Sequence, residues 1–165
     1  MIPRCLRALS VAAALAGPAF AGAQERPQVE FLNSGTVTPT TLPFSEAVRV
    51  GHTLYLSGQV GIKPGTLELA PGGIAGEARQ TLENIRTTLE THGFSLSDVV
   101  KCTVMLADIA EWAAFNDVYR GFFAPPYPAR SALGASGLAL GARVEVECIA
   151  VKGSAATGES AASRP

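Results

Sequence analysis

The alternation of hydrophobic and polar positions predicts short strands in the first half of the chain, followed by a helix. Two β-like runs, 47–50 and 54–60, lie around a turn at Gly51-His52, which predicts a hairpin. Between Ile74 and Leu89, apolar residues recur every three or four positions, as on one stripe of an α-helix. Gly93 is the expected C-terminal stop, because glycine adopts the left-handed conformation that ends many helices. This half therefore predicts two strands and one amphipathic helix.

The second half of the chain predicts a strand, a second helix and two closing strands. Residues 98–106 are rich in β-branched side chains and too short for a helix with a polar face. Asp108 and Glu111 have the spacing of a capping pair that opens a helix. Residues 128–135 and 143–151 then read as strands joined by a turn. The order ββαβαββ predicts an α+β fold: a mixed, antiparallel-rich sheet with two helices on one face.

The helices cover only one face of this sheet, so the other face must be either solvated or buried by another part of the assembly. The run 102–106 is apolar on both of its faces. The closing strand carries Glu145 and Glu147 on one face, followed by Ile149 and Val151. Such a face is either partly solvated or covered by another subunit. We expect the second arrangement, and so an oligomer.

The N-terminus has the composition of an export signal. Residues 1–23 carry two arginines, then an apolar run too short to span a bilayer, then two A-x-A sites that place cleavage after Ala21 or Ala23. A buried N-terminal helix is the alternative, but it would have to include Gly17-Pro18. We therefore expect a periplasmic or secreted protein with no membrane segment once the signal is removed.

Composition divides the rest of the chain and limits its partners. Residues 24–41 are polar and predict an N-terminal arm, 42–152 form the domain, and 153–165 predict a disordered tail. The formal net charge is −1, and losing the two signal arginines leaves an acidic excess of about three. An acidic domain without a basic cluster is a poor partner for nucleic acid.

The cysteines and histidines give little sign of metal or redox chemistry. Cys102 and Cys148 both lie in apolar strand-like runs, so buried free thiols are favoured over a disulfide between them. His52 and His92 are far apart and lack other ligands at metal-site spacing. No phosphate-binding or dinucleotide-binding motif occurs, so we expect neither metal nor cofactor.

Four polar residues occupy positions where the pattern favours apolar ones. Arg130 opens a strand and has no acidic residue within ten positions, while Glu145 projects from the closing strand. Asn116 interrupts the apolar stripe of the second helix, and Ser57 ends a strand beside Gly58, where a ligand could approach the backbone. Together they provide a fixed cation, a possible base, an amide and a hydroxyl. This set suits proton transfer to or from water near a bound anion.

Each of these residues also has a purely structural interpretation. Arg130 could form an ion pair with Glu145 or Glu147 across a closing hairpin. The two glutamates could belong to a solvated strand face. Asn116 could cap a loop from inside.

Four segments carry a resemblance to a known family. They are "LPFSEAVRVGHTLYLSGQVG", "EARQTLENIRTTLETHGFSLSDVVKCTVML", "FNDVYRGFF" and "PARSALGASGLALGARVEVECIAV". In order and spacing, they resemble the RidA/YjgF family of imine deaminases over about residues 40–152. The resemblance implies a chorismate-mutase-like fold and a homotrimer with a central barrel and sites between subunits. It also implies cofactor-free hydrolysis of 2-imino acids, the tautomers of enamines such as 2-aminoacrylate, to 2-oxo acids and ammonia.

The resemblance assigns roles to individual residues. Arg130 matches the arginine that binds the substrate carboxylate, and Glu145 matches the glutamate that activates water. The residues that match the lining of the site are Phe44, Ser57, Gly58, Asn116 and Ala132. Phe44 and Ala132 stand where the archetype has tyrosine and cysteine, so the substrate range is expected to shift. The alternative is a non-catalytic trimer that binds small carboxylates through the same arginine; ribonuclease activity, claimed for some relatives, does not suit the acidic charge.

Overall fold

The computed structural model describes residues 26–153. The predicted signal peptide and all but the first residue of the predicted tail lie outside the described residues and stay predictions. The strands are β1 Val29–Leu32, β2 Ala47–Val50, β3 Thr53–Leu56, β4 Gln59–Val60, β5 Val99–Leu106, β6 Ala129–Gly134 and β7 Val144–Val151, and the helices are α1 Gly73–Thr91 and α2 Trp112–Tyr119. Neither helix in this part of the chain is long and apolar enough to cross a membrane.

The strands form one mixed sheet in the order β1-β2-β3-β7-β5-β6, and β4 also pairs with β7. All neighbours are antiparallel except β5 and β6, which are parallel. The predicted mixed sheet is confirmed, but a closing hairpin of β6 and β7 is wrong, because β5 lies between them. A parallel neighbour needs a long crossover connection, and the segment containing α2 provides it between β5 and β6.

Both helices pack on one face of the sheet, as the pattern predicts. Fully buried strand residues such as Leu54, Val104 and Val146 meet the apolar stripe of α1. Leu82 and Leu89 on that stripe have no exposed surface. Each such side chain contributes about 1.5–3 kcal/mol by leaving water. The core therefore lies between the helices and one face of the sheet.

The C-terminus of α1 ends at the predicted glycine. Gly93 has φ of +79° and donates its N–H to the carbonyl of Glu90 at 3.1 Å. The next residue, Phe94, donates to the carbonyl of Leu89 at 2.8 Å, which completes a Schellman motif. This conformation strains most residues with a side chain, so the stop at Gly93 is confirmed with its physical reason.

The predicted capping pair before α2 is half confirmed. Asp108 accepts a hydrogen bond from the backbone N–H of Ala110 at 2.9 Å and opens a single 3₁₀ turn that leads into α2. Glu111 does not complete the capping box. It instead forms an ion pair with Arg143, which precedes β7. A guanidinium is a stronger partner for a carboxylate than a backbone amide, so the distant contact prevails.

Cys102 and Cys148 form a disulfide, so the expectation of free thiols is wrong. The two residues lie directly opposite each other on β5 and β7, with their Cα atoms 4.1 Å apart. Cross-strand neighbours at such a distance have their Cβ atoms close enough for the two sulfur atoms to form a bond. The pairing depends on the register of two strands separated by much of the chain, which the spacing of the cysteines alone does not reveal.

The sheet face away from the helices is uncovered in the single chain. The predicted N-terminal arm supplies β1, which pairs with β2 at the sheet edge and extends this face. Phe31 there is 73% exposed, and Val29 and Tyr55 are about half exposed. Exposed apolar patches of this kind mark interaction surfaces. The prediction that another subunit covers this face is thus consistent with the fold, and it stays a prediction.

Candidate active site

Arg130 is held on the helix side of the sheet edge by α2. Its Nη2 donates to Oδ1 of Asn116 at 2.7 Å. Its guanidinium carbon lies 4.6 Å from the ring centroid of Tyr119 and 6.0 Å from that of Trp112. Attraction between a guanidinium and aromatic faces contributes about 0.5–2 kcal/mol, more where water is excluded. The charge of Arg130 is therefore fixed in place by an amide and aromatic rings.

Helical spacing on α2 groups the side chains that contact the Arg130 guanidinium. Trp112, Asn116 and Tyr119 lie four and three residues apart, so they share one face of the helix. Asn116 is only 6% exposed, and its contact with Arg130 replaces the loop cap that its position also allowed. No carboxylate of residues 26–153 lies within ion-pair distance of Arg130. Its cationic charge is thus available to an anion from outside the described chain.

A cleft of about 360 Å³ opens beside Arg130, and we call it the arginine cleft. It is lined by Trp112, Asn116, Tyr119, Arg120, Tyr127, Pro128 and Arg130. The hydroxyl of Tyr119 is buried and has no hydrogen-bond partner among the described residues, and burial raises the pKa of this phenol. Trp112 and Tyr119 belong to the apolar stripe of the second helix that Asn116 interrupts, and sequence reasoning did not include them in the site. The available signal was the polar Asn116 placed between them on one helix face.

Glu145 lies on the other face of the sheet, in a second cleft. The cleft holds about 250 Å³, and we call it the glutamate cleft. It is lined by Thr38, Leu42, Phe44, Gly58, Gln59, Val60, Ile62, Leu67, Ala139, Leu140 and Glu145. The carboxylate lies against Gly58, where an added Cβ would be 2.0 Å from Oε1 of Glu145. A residue with a side chain at position 58 would therefore displace the Glu145 carboxylate from this position.

The environment of Glu145 changes its acidity. Burial is the main cause that raises the pKa of this carboxyl, and the neighbouring charge of Glu147 raises it further. A carboxylate with a raised pKa is a better proton acceptor when it is ionised. Perturbed carboxyl groups in clefts are typical of acid–base sites.

Arg130 and Glu145 do not converge within one chain. Arg130 is in register with Cys102, which faces Cys148, whereas Glu145 lies three residues further along β7. Strand geometry puts their Cα atoms about 14 Å apart, with side chains on opposite faces. The proposed structural ion pair of Arg130 with Glu145 or Glu147 is therefore wrong.

The remaining predicted site residues are divided between these regions. Phe44 and Gly58 join Glu145 in the glutamate cleft, while Asn116 joins Arg130 in the arginine cleft. Ser57 is outside both clefts, and its hydroxyl donates to the carbonyl of Ser45 at 2.7 Å. Ala132 is exposed on β6, on the same strand face as Arg130. The structure thus forms two clusters from these seven residues and leaves two of them outside.

A buried polar cluster supports the segment that carries Ser57, and sequence reasoning missed it. The carboxylate of Glu46 is 1% exposed and contacts Nε2 of His92 at 2.9 Å and the hydroxyl of Ser34 at 2.9 Å. The carbonyl of Glu46 accepts the N–H of Ser57 at 3.1 Å. These partners are far apart in sequence, so spacing gave no signal. Within residues 26–153, no group of three or more His, Cys, Asp or Glu side chains could hold a metal ion.

Comparison with known proteins gives a consistent match over the described domain. Residues 36–152 match the family model described as Endoribonuclease L-PSP. A goat (Capra hircus) protein named 2-iminobutanoate/2-iminopropanoate deaminase is 48% identical over 111 residues, 67% of this chain and 81% of that protein. A putative endoribonuclease from Thermotoga maritima superposes with a TM-score of 0.72 at 38% identity, covering 76% of this chain and 98% of that one.

A further solved structure bears on the predicted fold. RidA from the Antarctic bacterium Psychrobacter sp. superposes with a TM-score of 0.70 at 38% identity, covering 74% of this chain and 99% of that one. The mixed sheet with two helices is the arrangement these proteins share. The predicted chorismate-mutase-like fold is therefore confirmed for one chain.

Proposed function

We propose an imine deaminase activity for this chain, which belongs to the RidA/YjgF family, the family described as Endoribonuclease L-PSP. The observation that carries the proposal is the preformed arginine cleft. Arg130 keeps its charge at any relevant pH and presents a planar set of donors that suits a carboxylate. Relatives named as deaminases of 2-iminobutanoate and 2-iminopropanoate, which are 2-imino acids, support the same substrate class.

The proposed chemistry is hydrolysis of the imine bond. The carboxylate of the 2-imino acid binds Arg130, and ionised Glu145 accepts a proton from water as the water oxygen bonds to the imine carbon. Glu145 passes this proton to the nitrogen, which gives a carbinolamine. A second proton then moves from the carbinolamine hydroxyl through Glu145 to the nitrogen, so that ammonia leaves and the carbon–oxygen bond becomes the carbonyl of a 2-oxo acid. No electrons are transferred. Fixing the reacting groups in this orientation supplies several kcal/mol of the acceleration.

We place each complete site between two copies of the chain. Arg130 and Glu145 of one chain lie on opposite faces of the sheet, so they cannot both reach one small substrate. The arginine cleft of one copy beside the glutamate cleft of the next would bring them together. The exposed apolar face around Phe31 and Tyr55 supplies a surface for such assembly, and a homotrimer with a central barrel is the arrangement we propose.

We also propose that the protein works outside the cytoplasm. The support is the pattern of residues 1–23, with two arginines, an apolar run and A-x-A cleavage sites. Cell fractionation with an antibody checks this location, and a protein found in the cytoplasm at its full length of 165 residues would contradict it.

The test of function is ammonia release from 2-imino acids generated in the assay by an amino-acid oxidase. Arg130→Ala should lower kcat/KM by about 1,000-fold, because the variant loses a charge-assisted contact that positions the substrate. Arg86→Ala removes an exposed arginine of α1 that pairs with Glu83, and it should leave the rate unchanged. Equal turnover by wild type and Arg130→Ala would overturn the proposal. Binding of 2-oxo acids in calorimetry without any turnover would favour the non-catalytic alternative.

A further inference from the structure

The walls of the glutamate cleft are more apolar than binding a small imino acid requires. Phe44 and Leu67 are each 49% exposed, and Leu140 is 52% exposed. All three line the cleft, so they would present hydrocarbon to any molecule that enters it. Large apolar side chains grouped around a concave surface are typical of ligand sites.

Leu140 holds its place in the wall at a conformational cost. Its φ is +60°, and it is the one residue other than glycine with a positive φ between residues 26 and 153. A side chain with a Cβ is disfavoured in this region, and such strain is concentrated at functional sites. Glycine would relieve the strain but would remove the side chain from the cleft. The strained conformation therefore indicates that the leucine side chain has a functional role in the wall of the cleft.

Glu145 is the reacting group beside these walls. Gln59 is in register with Val146 on β7, which packs in the core, so its amide points away from the Glu145 carboxylate. A molecule in the cleft would then face Glu145 with its reacting end and contact the walls with its hydrocarbon part.

The size of the cleft favours substrates with larger side chains. A cavity of about 150 Å³ lined by apolar residues is enough to bind benzene. The glutamate cleft holds about 250 Å³, so a methyl group would leave most of it unfilled. Each further methylene removed from water strengthens binding by about fourfold.

We propose that the glutamate cleft is a side-chain subsite, and that this chain prefers 2-imino acids with large apolar side chains, such as those formed from leucine or phenylalanine. The inference rests on the proposed deaminase function and specifies its substrate class. It differs from the small substrates in the names of the relatives, 2-iminobutanoate and 2-iminopropanoate. Phe44, Leu67 and Leu140 are its specificity residues.

The experiment compares kcat/KM for imino acids made in the assay from alanine, leucine and phenylalanine. We expect the leucine-derived substrate to exceed the alanine-derived one by about 60-fold in kcat/KM, since three more carbons enter the subsite. Leu140→Gly and Leu67→Ala should each reduce this ratio by about threefold to tenfold, mainly through KM of the larger substrate. Val100→Ala, a matched change at a half-exposed residue outside the cleft, should leave the ratio unchanged.

The outcomes separate the subsite from the deaminase activity. Comparable kcat/KM for all three substrates, with ratios unmoved in both leucine variants, would overturn the subsite and leave the deaminase proposal standing. If no substrate releases ammonia, the deaminase proposal fails and calorimetry decides the subsite. Tighter binding of the leucine-derived 2-oxo acid than of pyruvate, weakened by Leu140→Gly, would support it. Equal binding of the two 2-oxo acids would overturn it.

Discussion

The arginine cleft and the glutamate cleft lie on opposite faces of one sheet and differ in how they are built. In the arginine cleft, a permanent cation is fixed by Asn116 and the ring of Tyr119. In the glutamate cleft, apolar walls surround a carboxyl group whose pKa is raised by burial. One cleft is suited to bind a charge, and the other is suited to move a proton. The proposed site would therefore take its cation from one face of the sheet and its base from the other.

This separation has an electrostatic consequence. A fixed guanidinium close to Glu145 would favour the ionised carboxylate and lower its pKa. Within one chain, Arg130 is too far from Glu145 to do so, and the pKa of the Glu145 carboxyl is raised. The two groups would meet only where copies of the chain adjoin, and there the guanidinium would oppose this upward shift. Variants that affect one cleft should therefore have a different kinetic signature from variants that affect the other.

The largest effect should come from mixing two inactive variants. Arg130→Ala lacks the cation and Glu145→Gln lacks the base, so each alone should lose at least about 100-fold in kcat/KM. If every site draws its arginine and its glutamate from different copies, mixed oligomers contain some complete sites. Random exchange of equal amounts should then restore about a quarter of wild-type activity. Ammonia release after co-unfolding and refolding of the two variants measures this recovery.

The control for this experiment is the double variant. Arg130→Ala/Glu145→Gln mixed with wild type produces no complete site beyond those that wild-type chains form among themselves. Mixtures of the two single variants that stay inactive, although mass spectrometry shows hetero-oligomers, would place both residues in the same copy and contradict the separation.

A smaller effect is expected from changing Asn116, which holds the Arg130 guanidinium in place. Asn116→Ala removes the acceptor that holds Nη2 of Arg130 at 2.7 Å, and KM should rise by about tenfold with little change in kcat. Asn116→Asp keeps an acceptor but adds a charge that competes with the substrate carboxylate, so it should raise KM further. Steady-state kinetics distinguishes these results. An unchanged KM in both variants would mean that Asn116 only packs the cleft.

Local patterns predicted much of the fold. The stripe from Ile74 to Leu89 and the stop at Gly93 depend on residues a few positions apart, and the same is true of the hairpin turn at Gly51-His52. Such features follow from helix and strand periodicity and from glycine conformation. They therefore could be read from the sequence, and the family resemblance added the chorismate-mutase-like fold.

Contacts between distant strands could not be read in the same way. The disulfide of Cys102 with Cys148 and the insertion of β5 between β6 and β7 both depend on register and strand order. The candidate site shares this limit. Arg130 and Glu145 were identified by their unusual positions, but the strained Leu140 has no local signal, because backbone angles arise from the whole fold.

The smallest effect tests the glutamate cleft through its acidity. Glu147 is exposed on the same strand face as Glu145, and its charge raises the pKa of the Glu145 carboxyl. Glu147→Gln removes that repulsion and should lower the pKa of Glu145, leaving burial as the remaining cause of its upward shift. Because the ionised carboxylate is the proposed base, activity rises as pH passes upward through this pKa. The acid limb of kcat should therefore move to lower pH in Glu147→Gln, whereas Glu83→Gln on α1 should leave it in place. A pH profile of ammonia release measures both, and a limb that stays fixed in Glu147→Gln would show that a group other than Glu145 controls the reaction.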